Sequence, residues 1–484
     1  MKTLVLARHL AVTSAVGLSL CNGVPAQEMP KVLETMVVSA ETEFAEAQQP
    51  GWLSDVVGAA IFAGKKTAVI DLKARAWNVG NNYRQALSQT SSLLLSEESS
   101  PLVSIGYRGL NPHRAQFTQM LRDGIPIHAD QFGYPEAYYT PPLDIVDRIE
   151  FLHGGAALQH GPQPGGALNY ITRRPRTDKP FSLRTQHVGG SDGLYSNFSS
   201  AEGSVNRLGY HLYFNRRESG GFRSANSDYD LNDGAIKLLY SLDDGGKIIF
   251  NIDSYQESHG EPGGLSVADF KSSSLKATRL QDRFSLDRNS VSLTHETEPS
   301  ADRFFTTSAW WVDYTRSSYR QDGGGFGVSP AAGKPFKTER QSFDTLGIDS
   351  RYRMNWSPDA QHTLTTGVQV YHVDSPRTDT ISNSTTVKRS EREVSYLPVF
   401  AENKFSFGKC SITPGLRLEN VWQTIERPGT GAMDDDERHI LLGGLGVEYA
   451  TAPQSAIYGN LSQSYRPKTY SEAVPSEALG DVPD

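Results

Sequence analysis

From Phe181 onward, apolar and polar residues alternate along the chain with a period of two. Leu208, Tyr210, Leu212 and Phe214 interleave with Gly209, His211, Tyr213 and Asn215. Ile248, Phe250 and Ile252 interleave with Lys247, Asn251 and Asp253, Ile249 being the one exception, and Leu364, Val368 and Val370 interleave with Thr365, Gly367 and Gln369. Leu441, Leu445, Val447 and Tyr449 share one parity, while Gly444, Gly446 and Glu448 share the other. Successive side chains of a strand point to opposite faces, so each segment predicts a β-strand with one apolar and one polar face. Such strands suit a lipid-facing wall around a wet interior, and also a large soluble sandwich or propeller. The connections favour the wall. One set is short (204–207, 243–246, 298–302, 357–361, 408–409 and 452–454), and the intervening set is mostly long and polar (218–228, 257–282, 317–341, 374–392 and 426–437). Tight turns at one end and long loops at the other are how an outer-membrane barrel is built. A propeller would repeat a period of about 40 residues, and the chain has no such repeat.

A different texture fills residues 104–175. Short apolar runs (Met120-Leu121, Ile145-Val146, Phe151-Leu152 and Ala167-Leu168) are cut repeatedly by glycine and proline. Glycine admits φ > 0 and proline fixes φ, so this stretch predicts a compact mixed domain of short strands and tight turns. The N-terminus predicts an export leader: Lys2 and Arg8 are followed by a mostly apolar stretch from Leu10 to Leu20, then by Val24-Pro25-Ala26 for cleavage after Ala26. A buried core helix seldom opens a chain with basic residues and closes on small-x-small. Leu20 is too bulky for a lipoprotein signal before Cys21. With Cys21 removed, Cys410 is the one cysteine of the mature chain, which excludes an intramolecular disulfide or a thiolate cluster. Past the leader no apolar run is long enough for a membrane helix, and the mean hydropathy is −0.45. A β-barrel passes that test, since only alternate residues meet lipid. The net charge of −8 and the lack of a basic, aromatic-interleaved cluster argue against nucleic acid as a partner.

The motifs of the mixed domain carry a resemblance. In order they are the Arg108-Gly109 turn, the Leu121-x-Asp123-Gly124-Ile125-Pro126 hairpin, Val146-Asp147-Arg148-Ile149-Glu150, Gly154-Gly155, His160-Gly161 and Gly165-Gly166-Ala167-Leu168-Asn169-Tyr170-Ile171-Thr172. This succession resembles the plug domain of TonB-dependent outer-membrane receptors. Phe400-Ala401-Glu402-Asn403 and Thr413-Pro414-Gly415-Leu416-Arg417-Leu418-Glu419 resemble barrel strands of the same family. The resemblance implies an all-β transmembrane barrel with an N-terminal mixed α/β plug. The expected domains are a leader (1–26), a TonB box and linker (27–54), a plug (55–178) and a barrel (179–484). Such receptors close with 22 strands, whereas the alternation supplies about 13 antiparallel ones, the last near 456–465. The expectation is therefore a barrel truncated before closure: an ordered plug beside an open, curved sheet, with 467–484 loosely placed.

Transport in this family is binding and gating without a covalent step, so the resemblance implies no catalytic residue, no resident cofactor and no enzyme. Glu34-Thr35-Met36-Val37-Val38-Ser39-Ala40 resembles the TonB box: a short β-prone segment on a polar tether, suited to adding as a strand to the edge of TonB's sheet. Receptors that also signal carry a further domain before this box, so a signalling role is not expected. After the Asp123-Gly124 hairpin the plug should raise a loop toward substrate. His128, Gln131, Tyr134, Tyr138 and Tyr139 there offer imidazole, amide and phenol groups for a chelate's oxygens and rim. Arg114, in the 111–117 loop, adds a cation for an anionic chelate. Within the family the plug is similar to that of ferric citrate receptors, although Phe117 stands where those carry an arginine. The implied cargo is thus a ferric chelate of siderophore or citrate type, carried across the outer membrane of a Gram-negative-type cell. Haem, cobalamin or another nutrient stays open, because family members share the plug while loops set specificity. A passive porin or adhesin would leave 34–175 unexplained. A secreted β-rich hydrolase has only Gly189-Gly190-Ser191-Asp192-Gly193 in its favour, and that G-x-S-x-G lies between two alternating strands instead of at a strand-to-helix turn. Asp434-Asp435-Asp436-Glu437 reads as a solvated acidic loop before a calcium site. His113, His128, His153 and His160 lack the spacing of metal ligands.

Overall fold

The structure, a computed structural model, describes residues 48–470 except 50, 74–77, 79, 99, 154, 326, 358, 360, 386, 428–431 and 453–454. The expected leader, the Glu34 to Ala40 segment and residues 471–484 lie outside the described residues.

The mixed domain is built on one small sheet. Strands β1 (Thr67–Asp71), β4 (Gln119–Arg122), β5 (Ile125–Pro126), β6 (Val146–Leu152) and β7 (Ala167–Thr172) lie in the order β1-β6-β7-β4-β5, with β7 and β4 parallel. A hairpin of β2 (Leu93–Glu97) and β3 (Val103–Tyr107) and two five-residue helices, α1 (Tyr83–Leu87) and α2 (Ala156–His160), pack around it. Ile149, Phe151, Leu168 and Tyr170 are buried at its centre.

Fifteen antiparallel segments then form one continuous sheet. They are β8 (Ser182–Gly189), β9 (Tyr195–Val205), β10 (Leu208–Ser219), β11 (Tyr229–Ser241), β12 (Lys247–Gly260), β13 (Arg283–Ser300) and β14 (Arg303–Gln321). After these come β15 (Phe336–Trp356), β16 (His362–Asp374), β17 (Arg377–Ile381), β18 (Val387–Tyr396), β19 (Val399–Phe407), β20 (Cys410–Arg427), β21 (Ala432–Ala452) and β22 (Ser455–Ser462). Pro376 and Pro398, which have no N–H for the ladder, interrupt two of the long strands. β17 continues β16 along β15, and β18 with β19 runs along β20, so the fifteen segments make thirteen passes. The sheet is not closed: β8 and β22 each have a single neighbour among the described residues.

The outer face carries the apolar parity. Leu212, Phe214, Ile236, Ile252, Leu346, Val370, Leu441 and Leu445 are exposed there, as a lipid-facing band requires. Trp311, Trp356 and Trp422 donate their indole N–H groups to Asp344, Asn403 and Glu437, an arrangement suited to the two edges of a bilayer. The inner parity is not wet where the mixed domain sits. Tyr255, Phe284, Trp310, Tyr314, Phe343, Tyr371 and Tyr396 are buried in one cluster with the domain's Phe132, Tyr138 and Tyr139. Beyond β22 the chain turns inward. Pro467, Thr469 and Tyr470 are buried, and the Tyr470 N–H donates to the Gly133 carbonyl at 2.8 Å. The expected looseness after Pro467 therefore does not hold for 467–470, because the inner face offers Tyr470 an apolar wall to pack against.

Candidate functional site

Two loops carry the plug surface toward the long-loop end of the sheet. In the first, a single 3-10 turn, His113–Ala115, holds Arg114 at φ 48°. The second runs from Ile127 to Tyr139 and is organised by Asp130. Its buried carboxylate accepts from the N–H groups of Phe132 (3.0 Å) and Gly133 (2.9 Å) and from the Tyr371 hydroxyl on β16 (3.2 Å). Phe132 packs on the rings of Tyr371 and Tyr396, so this turn is anchored directly to the wall.

Three of the six expected residues converge. Arg114 donates to Glu98 (3.1 Å), Glu136 (2.9 Å) and the Tyr138 hydroxyl (2.7 Å). Burial opposes its charge, but Tyr138, Glu98 and Glu136 outweigh that and hold the guanidinium more firmly protonated. Tyr134 stacks over Tyr138 at 6.2 Å with the two hydroxyls 2.6 Å apart, and Tyr138 stacks on Phe284 of β13. Arg114 is thus already matched by two carboxylates, and of this layer Tyr134 is the least buried ring.

The other three point elsewhere. His128 lies inside the plug: its Nε2 accepts from the Met120 N–H (2.9 Å) and its Nδ1–H donates to the Pro135 carbonyl (2.8 Å). Burial pushes the imidazole down to about 4, so it is neutral. Gln131 is buried beside Gln119 and Gln163, accepting from both through its side-chain and main-chain oxygens. Tyr139 accepts from Arg122 (2.7 Å) and sits between the guanidinium groups of Arg122 and Arg288.

The wall contributes cations that motif reading passed over. Arg316 of β14 lies over the Tyr134 ring at 4.6 Å, and Arg392 of β18 lies over Tyr470 at 5.0 Å. Each keeps a buried Nε–H with no hydrogen-bond partner among the described residues. Arg377 of β17, bonded to Asp379 and Glu339, is within electrostatic reach of both Arg392 and Tyr134. Arg466 lies over Phe117 at 4.8 Å and so returns a cation to that position of the plug. The available signal was parity: Tyr314, Arg316 and Ser318 share the inward phase of β14, where a charge has no reason to sit beside lipid.

Below the apex the plug is tied to the wall by ion pairs. Arg122 reaches Asp253 of β12 at 2.6 Å, and Asp253 also accepts from Arg288. Lys65, wholly buried, donates to both oxygens of Glu402 on β19 (2.7 and 2.8 Å). Burial lowers the lysine's proton affinity while Glu402 restores part of it.

Residues 157–481 match the family model described as TonB dependent receptor-like, beta-barrel, and residues 67–168 match the TonB-dependent Receptor Plug Domain. Among characterised proteins the chain is 30% identical over 154 residues to the ferric enterobactin receptor PirA of Pseudomonas aeruginosa, spanning 28% of this chain and 19% of that one. Among solved structures it is similar to the ferric citrate transporter FecA in its unliganded form, with a TM-score of 0.75 and 22% identity. That match covers 87% of this chain and 65% of FecA. The siderophore receptor PiuA from Acinetobacter baumannii gives a TM-score of 0.70 at 12% identity, covering 89% of this chain and 70% of that one. At these identities the structural likeness is one of fold. A plug model and a barrel model matched in tandem, on an inward-facing mixed domain inside an outward-apolar sheet, place the chain in the family of TonB-dependent outer-membrane receptors.

Proposed function

We propose that this receptor takes up an anionic, oxygen-rich ferric chelate, of siderophore or citrate type, through the outer membrane. The observation that carries the reading is the cluster of Arg316 over Tyr134, Arg392 over Tyr470 and Arg377 within electrostatic reach of Arg392 and Tyr134, with the Nε–H groups of Arg316 and Arg392 left unmatched among the described residues. An unpaired buried donor is costly, and a ligand oxygen that supplies the missing partner gains a charge-assisted bond. Tyr134 offers its ring to the chelate rim. Arg114 and Tyr138 hold Tyr134, and His128, Gln131 and Tyr139 support the loop from beneath. The names of FecA, PirA and PiuA agree with an iron-chelate cargo without fixing which one. Export through the 1–26 leader, and energy delivered by TonB adding Glu34 to Ala40 to its sheet edge, complete the proposal.

A deletion strain grown on a panel of iron sources tests the cargo: the full-length gene should restore growth on at least one ferric chelate. Rescue on haem, cobalamin or a sugar alone overturns it. Arg316→Ala and Arg392→Ala should each weaken chelate binding about tenfold or more, the worth of one charged hydrogen bond. Removing Glu34 to Ala40 from the full-length receptor should abolish uptake and leave surface binding intact; uptake that survives rules out energised transport through that segment.

A further inference from the structure

The two sides of the plug meet the wall in different ways. Along β19 to β22 the contact is backbone on backbone. A Cβ on Gly64 would stand 2.7 Å from the Val447 nitrogen, and one on Gly446 would stand 3.0 Å from the Ala63 carbonyl oxygen. Leu158 fills the notch over Gly444 and Gly415. The Gly64 N–H donates to Glu448 (2.9 Å), Arg417 donates to the Leu158 carbonyl (3.2 Å), and the Gly155 N–H donates to the Ser462 hydroxyl (3.1 Å). Lys65, Glu402 and Gln159 close the same seam with buried hydrogen bonds.

Along β10 to β13, below the rings of Tyr138 and Tyr139 packed on Phe284 and Tyr255, the plug meets the wall through long charged side chains. Lys237 reaches Asp123 at 2.9 Å, Arg122 reaches Asp253, and Arg174 reaches Glu296 at 3.0 Å. Between them lies a narrow cavity of about 10 Å³, the scale of one water, lined by Arg122, Arg173, His211, Tyr213 and Lys237 among others. Arg173 faces it with an Nε–H that has no hydrogen-bond partner among the described residues, the nearest carboxylate being Asp147 at 3.8 Å. Cations follow this side of the plug: Arg114 with Arg316 of β14 at the apex, Arg288 of β13 beside Tyr139, and Arg122, Arg173 and Lys237 around the cavity. Opposite them, Lys65 and Arg417 are locked to carboxylates and to plug backbone.

From this asymmetry we propose that the plug pivots on its β19–β22 seam and opens along β10–β13, where Arg173 and Lys237 form a second, transit site for the anionic chelate. The inference rests on the cargo class proposed above. Long side chains can swing and exchange Asp123 or Asp147 for a ligand oxygen, whereas interlocked backbone has no such freedom. Opening on this side also brings the chelate from one cation to the next, so the anion is never moved far from a counter-charge in a low-dielectric gap.

The test uses the whole receptor in cells, in a Cys410→Ser background, with surface binding and uptake of a ferric chelate that the wild type transports. Arg174→Cys with Glu296→Cys, a pair whose charged groups lie 3.0 Å apart on the same seam and outside the transit site, joined by a short thiol cross-linker, should bind chelate and lose uptake, and the uncross-linked pair should retain measurable uptake. Leu158→Cys with Gly444→Cys, joined as a disulfide, should bind and still transport. Uptake that survives the first bridge, or is lost with the second, overturns the pivot. Arg173→Gln should lower uptake about tenfold with surface binding unchanged, and Arg173→Lys should restore most of it, as expected for one charge-assisted contact to a moving anion. Unchanged uptake in Arg173→Gln removes the transit site even if a bridged variant fails to assemble. If the wild type transports no ferric chelate at all, the cargo reading fails instead, and the two failures are distinct.

Discussion

His128 illustrates how a residue of the right type in the right loop takes a different task once buried. Both ring nitrogens are engaged within the plug, and burial lowers the folded pKa to about 4, against roughly 6.5 unfolded. Between those values the unfolded chain binds a proton that the folded site refuses, so stability rises with pH. The full contribution is present above pH 6.5 and is lost as the pH falls toward 4, by up to about 3 kcal/mol. Denaturant unfolding of the purified receptor at pH 7 and 4.5 should show a larger loss for wild type than for His128→Gln; equal losses would assign the proton uptake to other groups. Lys65 makes the complementary case. Lys65→Met leaves the Glu402 carboxylate buried without its cation, which should loosen the plug by roughly 3–5 kcal/mol, while Lys65→Met with Glu402→Gln should recover part of it. Protease resistance of the plug reports both.

At the scale of elements, parity explains the wall and glycine explains how the plug meets it. Each long strand buries alternate residues, so one strand carries Trp311 toward lipid and Trp310 and Val312 toward the plug. Gly64 sits at φ +72° with the Val447 nitrogen where a Cβ would press, and backbone there has no room to yield. Gly64→Ala should weaken plug docking by roughly 2–4 kcal/mol, adding left-handed strain to a clash. Gly109, at φ +84° with nothing within 4 Å, isolates the strain alone, and Gly109→Ala should cost only about 1 kcal/mol. Unfolding midpoints of the two variants compare them directly; equal effects would mean that the Gly64 contact is not tight.

For the whole molecule the decisive feature is the open sheet. β8 and β22 each present an unpaired edge among the described residues, and at membrane depth a backbone group without a partner costs several kcal/mol. Residues 1–484 expressed by themselves should misassemble or be degraded, with no heat-modifiable band on a gel of outer membranes. A closed, heat-resistant barrel from these residues alone would show that the edges find partners. The chain spans 65% of the length of FecA, which carries the same fold.

Strand parity, the alternation of tight turns with longer connections, and the plug motifs were legible in the chain, because a period of two and a glycine or proline at a fixed place are local constraints. The acidic run Asp434 to Glu437, expected in a loop, lies instead in β21, where its pairing with β20 overrides its polarity. Thirteen passes could be counted from alternation for the same reason, even where Pro376 and Pro398 break the ladder. What only the tertiary structure decided is which side chains meet. Arg114 and Tyr138 lie 24 positions apart in one loop system and their contact was within reach of motif reading, whereas Arg316 meets Tyr134, and Arg392 meets Tyr470, across the plug–wall boundary. The same holds for the two unlike seams: Gly64 against Val447, or Lys237 against Asp123, is set by the rotation of the plug within the sheet. That rotation is fixed by the sum of many non-local contacts, and no local pattern in the sequence encodes it.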